Sequence, residues 1–169
     1  MNKTVVKQRI KNKKMFTIVA VAFLVVIYSI IFFFSASDGD TSGELSRGIA
    51  VNLVRGFDSF FFIEIPFINT PEGIELINGI VRKMAHFTEY GIIGVLEYGI
   101  ALCWSRDLKK AALLITAIVA ASAALDELHQ LFVPGRYSSP KDVLIDTLGG
   151  ITGIGIAYVI YRARHKKTG

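Results

Sequence analysis

Cysteine is all but missing from this 169-residue chain, and its one copy, Cys103, excludes an intrachain disulfide and a thiolate metal cluster. No segment recurs at a period of roughly 20–50 residues, which excludes a repeat array. No low-complexity linker divides the chain either, so residues 1–169 read as a single domain. The H-E-x-x-H zinc signature is absent. The most consequential lack is of charge. MFTIVAVAFLVVIYSIIFFF, from Met15 to Phe34, carries none. At about 1.5 Å per helical residue it reaches roughly 30 Å, the thickness of a bilayer's hydrocarbon core.

What is present agrees with that run. Hydrophobic residues make up 52% of the chain, and the mean hydropathy is +0.49. The apolar run follows a tail with Lys3, Lys7, Arg9, Lys11, Lys13 and Lys14. It is too long for the apolar part of an ordinary signal peptide, and SASDG after it makes a poor cleavage site. It therefore reads as an uncleaved first span, about residues 15–34. Further spans are expected at about 86–104, 111–132 and 143–161. The expected fold is all-α: an integral-membrane four-helix bundle with outer amphipathic helices.

Basic residues set the orientation. Most of the 19 Lys and Arg lie in the N-terminal tail, in SRDLKK and in RARHKKTG, and Asp107 is the only acid among these segments. With both termini in the cytoplasm, all three segments are inside. The net charge of +5 then reports topology and implies no nucleic-acid partner. A multi-pass protein of the cytoplasmic membrane follows.

Residues 35–81 then lie outside. Thr41 with Glu44 forms a possible capping box. Beyond it Leu45, Ile49, Leu53, Phe57, Phe60 and Phe61 approximate one helical face, suited to the outer leaflet or to packing on the protein. Thr70-Pro71-Glu72 marks a second helix start, an N-cap followed by proline, leading directly into the second span.

Given this topology, the polar residues gather at one membrane depth. Arg82, Lys83, His86 and Glu89 begin the second span; Asp126, Glu127, His129 and Gln130 end the third; Asp142 and Asp146 begin the fourth. Arg136 sits in the intervening loop, FVPGRYSSPKD. Arg82, His86 and Glu89 share a helical face, as do Asp126, His129 and Gln130, and Asp142 with Asp146. Glu97 continues the His86 stripe about 16 Å deeper. An ionised group at the bilayer centre costs roughly 2.5–3.5 kcal/mol on insertion scales, so these faces should turn toward one another around an outward-facing polar pocket. Gly149 and Gly153 form G-x-x-x-G, with Gly150 and Gly155 nearby, a face fit for close helix packing.

R-K-x-x-H-F-x-E-Y at Arg82–Tyr90, D-E-x-H-Q-x-F-V-P-G-R at Asp126–Arg136 and D-V-x-x-D-x-x-G-G at Asp142–Gly150 resemble, in this order, the VanZ-like family of bacterial membrane proteins. The resemblance covers about the last ninety residues and the position of the first span. It implies a cell-envelope protein, and through the family's namesake an association with teicoplanin-type glycopeptide resistance. The chain is similar to the histidine-containing members, whereas the namesake keeps a reduced E-x-x-Q, so resistance is the weakest part of what the resemblance implies.

Three readings of the polar cluster stay open. His86, Glu89, Asp126 and His129 could offer imidazoles and carboxylates to a divalent metal such as zinc, manganese or iron. The cluster could instead be an interhelical network that holds the bundle together. In the third reading Arg82, Lys83 and Arg136, with Glu127 and Gln130, bind substrate. His86, Glu89, Asp126, His129, Asp142 and Asp146 are then the candidate catalytic groups, with a histidine as general acid or base. Membrane lipids, lipid-linked cell-wall precursors and lipoglycopeptides are the partners this implies. Recognition without turnover, an intramembrane hydrolase or transferase acting on a phosphorylated lipid, and a small transporter are the corresponding functions; whether the chain is an enzyme stays open. No nucleophile stands out, since Ser138 and Ser139 lie beside Pro140 in an ordinary loop context.

Overall fold

The computed structural model describes residues 3–36, 39–61, 70–136 and 138–166. These form five helices in chain order: α1 (Lys3–Ala36), α2 (Gly39–Phe61), α3 (Pro71–Trp104), α4 (Leu108–Gln130) and α5 (Pro140–Lys166). No strand occurs among the described residues.

The helix starts follow local chemistry. The Thr70 hydroxyl accepts from the Gly73 N–H at 3.1 Å, with Pro71 opening α3 where its missing N–H costs nothing. Asp107 caps α4 in the same way, accepting from the Lys110 N–H at 3.1 Å. The Ser139 carbonyl accepts from the Asp142 N–H at 2.9 Å, so α5 begins at Pro140. That is three residues before the apolar run that suggested Val143, because the Ser-Pro start precedes the hydropathy.

Two expectations for the outer segment change. The helix α2 runs from Gly39, which puts Thr41 inside it and removes the proposed capping box as its start. Its buried residues are Ser46, Ala50 and Val54, one narrow stripe of mostly small side chains, while Ile49 and Leu53 are exposed. Ile49 and Leu53 thus turn away from the protein. The side chains of Leu45, Phe57, Phe60 and Phe61 lie outside the described residues.

Three helices are long and apolar enough to cross a membrane: those at Thr4–Ala36, Leu108–Gln130 and Pro140–His165. Their large apolar side chains point outward, among them Ile18, Phe23, Leu113, Leu125 and Val159. Water would not tolerate so continuous a surface, and lipid requires it. The helix α3 does not join them on composition. It packs instead against each of the other four helices.

Glycine makes the α3–α5 contact possible. A Cβ on Gly153 would collide with the Gly91 carbonyl, one on Gly149 with the Phe87 carbonyl, and one on Gly94 with the Gly150 carbonyl. Gly150 also faces Val119 of α4, which a Cβ would meet at 2.5 Å. Gly155, by contrast, faces open space and takes no part. Around this seam Tyr90, Ile93, Val119, Ala123, Ile154 and Ala157 form the core.

Side-chain ties hold both ends. At one, Lys13 donates to the Cys103 carbonyl at 2.7 Å, and the Trp104 indole donates to Thr17 at 2.8 Å. At the other, Arg136 donates to the Phe34 carbonyl at 2.6 Å, and Lys83 pairs with Asp142 at 3.0 Å.

Candidate functional site

The second of these ends holds a cavity of about 270 Å³ between α3, α4, α5 and the α4–α5 loop. Its charged lining is Arg82, Lys83 and His86 from α3, Glu127 from α4, Arg136 from the loop, and Asp142 and Asp146 from α5, with Gln130 beside them. A smaller cavity of about 180 Å³ adjoins it toward α1 and α2. The two share Arg82, His86, Gln130 and Arg136, and Glu89 lines the second.

Asp146 lies deepest. It is 0% exposed, and neither carboxylate oxygen has a hydrogen-bond donor among the described residues. His86 Nδ1 stands 3.6 Å from it, close enough for an ion pair and too far for a hydrogen bond. A buried carboxylate without donors is costly, and His86 is the nearest cation to it.

The rim is organised by hydrogen bonds. The Ser139 N–H donates to Glu127 at 2.7 Å, tying the loop to α4, and Gly135 turns that loop with a positive φ of 72°. Lys83 is held by Asp142. Arg82 lines both cavities and carries neither an ion pair nor a hydrogen bond to any described side chain.

His86, Glu127, Gln130, Arg136, Asp142 and Asp146 come together with Arg82 and Lys83, and Glu89 adjoins them. Asp126 and His129 also line a groove of about 860 Å³ between α1 and α4, while Asp126 stays within electrostatic reach of His86, Glu89 and Asp146. There the His129 ring stacks on Phe32 with centroids 4.8 Å apart. The face shared by Asp126 and His129 meets α1, whereas Glu127 and Gln130 meet α5 and the loop. Gln130 donates to Asp126 at 3.0 Å. Glu97 also leaves the His86 stripe, accepting from the Tyr28 hydroxyl of α1 at 3.2 Å. Arg136 lines both cavities, and its guanidinium also donates to the Phe34 carbonyl at the carboxyl end of α1.

Among the described residues no three His, Cys, Asp or Glu side chains are grouped so as to hold a metal ion. Two of the pocket's carboxylates are engaged by the protein: Asp142 by Lys83 and Glu127 by the Ser139 amide.

Sequence reasoning missed Ser35 and Asn78. Both are buried; Ser35 lines the smaller cavity, and Asn78 lies one turn before Arg82 on α3. It also missed Ser139 as a loop anchor, although Ser-Pro before a helix was the available signal.

Fold and site together define an all-α membrane protein with a mixed-charge pocket at one end of its bundle. The chain belongs to the VanZ/LLP1 family, whose model matches residues 20–161. Comparison with curated proteins and with solved structures gave no match.

Proposed function

We propose that the chain crosses a bacterial cytoplasmic membrane four times, α3 included, and uses its pocket to recognise an amphiphile of the cell envelope on the outer side. The polar group recognised is a phosphate that carries a hydroxyl or amine beside it. One juxtaposition supports this: the unpaired guanidinium of Arg82 at the rim, above the donorless carboxylate of Asp146 on the floor. The guanidinium asks for an anion with two acceptor oxygens, the carboxylate for a hydrogen-bond donor. Phospholipids and lipid-linked cell-wall precursors carry both. A teicoplanin-type lipoglycopeptide, which the family's association with resistance brings to mind, also presents a polar head on an acyl chain.

Titration calorimetry of glycerol 3-phosphate onto the protein in phosphatidylcholine nanodiscs tests the proposal. Arg82→Gln and Asp146→Asn should each weaken binding at least tenfold, about 1.4 kcal/mol. Unchanged affinity in both variants would remove the reading.

The His86–Asp146 pair supports a second reading. A carboxylate beside Nδ1 orients an imidazole and leaves Nε2 as an acid or base, which suits a hydrolase or transferase acting on a phosphorylated lipid. Release of inorganic phosphate from lysophosphatidic acid by the wild type, lost in His86→Gln, would support turnover; no release would leave recognition alone.

A further inference from the structure

The α1–α4 groove is the largest concave surface described here, and it lies on the flank of two apolar helices. Val25, Phe32 and Leu125 make its wall apolar. It abuts the smaller cavity. Ile31 lines both the groove and the smaller cavity, and that cavity shares Arg82 and His86 with the pocket. Two buried polar atoms have no hydrogen-bond partner among the described residues: the Ser35 hydroxyl in the smaller cavity and His129 Nε2 in the groove. A lipid-facing depression produced by imperfect packing would have no reason to bury either.

We infer that this groove holds the single long hydrocarbon chain of the amphiphile whose head occupies the pocket, so that the ligand enters sideways from the bilayer between α1 and α4. The inference rests on the headgroup reading above. Its length argument is independent. The groove follows α1 from Ala36, at the pocket end, to Val21. At about 1.5 Å per residue that is roughly 22 Å, against roughly 15 Å for half of a bilayer core. A chain lying there is guided from the headgroup level past the bilayer middle. Ser35 and His129 then meet the polar linkage where head becomes chain, and the Phe32–His129 stack forms the wall at that point.

The test compares one headgroup with and without a chain, using the full protein in phosphatidylcholine nanodiscs. Glycerol 3-phosphate is the bare head, and 1-oleoyl lysophosphatidic acid is the same head on one chain. Val25→Trp and Leu125→Trp fill the groove from side chains that are 61% and 64% exposed, so neither disturbs the core; a melting curve verifies the fold of each. Either substitution should weaken lysophosphatidic acid at least tenfold and leave glycerol 3-phosphate within twofold. A lysophosphatidic acid with a diazirine at mid-chain should cross-link to α1 and α4, and unlabelled lipid should compete it away. Cross-links spread equally over the outward face of α5, at Ile156 and Val159, would identify ordinary boundary lipid and overturn the inference. If glycerol 3-phosphate binds and the chain adds no affinity, the groove assignment falls and the headgroup reading stands. If neither ligand binds the wild type, both fall.

Discussion

Asp146 concentrates the argument at the scale of one residue. It is fully buried, 3.6 Å from His86, and has no hydrogen-bond donor among the described residues. Were it a structural brace, deleting its charge would destabilise the bundle, since breaking a buried pair costs about 3–5 kcal/mol. If it waits for a ligand's donor, its neutral isostere should leave the fold nearly as stable. Asp146→Asn is therefore expected to melt within a few degrees of the wild type in detergent and to lose glycerol 3-phosphate binding. A melting point lowered by ten degrees or more would make the residue a brace. How far such residues could be read in advance depended on what each one meets. Spacing alone placed His86, Arg82, Asp142 and Asp146 around one site. The same logic misplaced His129, because a face shared with Asp126 says nothing about which neighbouring helix it meets. Arg136 was placed at the site, but its bond to the backbone carbonyl of Phe34 was illegible, because a sequence does not advertise its acceptors.

Between elements, the decisive contact is the glycine seam of α3 and α5. In lipid, helices gain little from burying apolar surface against one another, so close backbone approach supplies the attraction. The seam also sets where the site's groups stand, because Phe87, next to His86, touches Gly149, three residues beyond Asp146. Gly153→Ala should destabilise the fold by roughly 1–3 kcal/mol, as overpacking does elsewhere, since the added carbon meets backbone that cannot step aside. Gly155→Ala should be silent, its surroundings being open. Thermal melting of the two variants in one detergent verifies this, and equal melting points would count against the seam. The G-x-x-x-G pattern was visible in the sequence. Its partners, Gly91 and Gly94, were not, because nothing in α3 alone distinguishes a contact glycine from one lost in a long helix. Gly155 illustrates the opposite error, a small residue without a neighbour.

For the whole molecule the open question is the number of crossings, and α3 decides it. On composition three helices suffice to span, which would put the termini on opposite sides. The packing argues for four. The α3 helix contacts α1, α4 and α5, and its last residues meet Lys13 and Thr17 near the start of α1. The opposite ends of these helices meet where Arg136 reaches Phe34 and Lys83 reaches Asp142. A helix bound at both ends to spanning neighbours lies at membrane depth itself. Of its polar residues Asn78 is buried and His86, Glu89 and Glu97 are partly covered by the helices around it, which is one reason hydropathy undervalues it. In a Cys103→Ser background, a membrane-impermeant maleimide applied to intact cells should label Ser138→Cys and Thr70→Cys but spare Ser105→Cys, which should react only after the membrane is opened. A carboxyl-terminal reporter should be active in the cytoplasm. Labelling of Ser105→Cys from outside, with the carboxyl terminus also outside, would reduce the count to three and part the pocket's walls. The basic segments predict the first result, since the positive-inside rule keeps the N-terminal lysines, SRDLKK and RARHKKTG on one side only when α3 crosses.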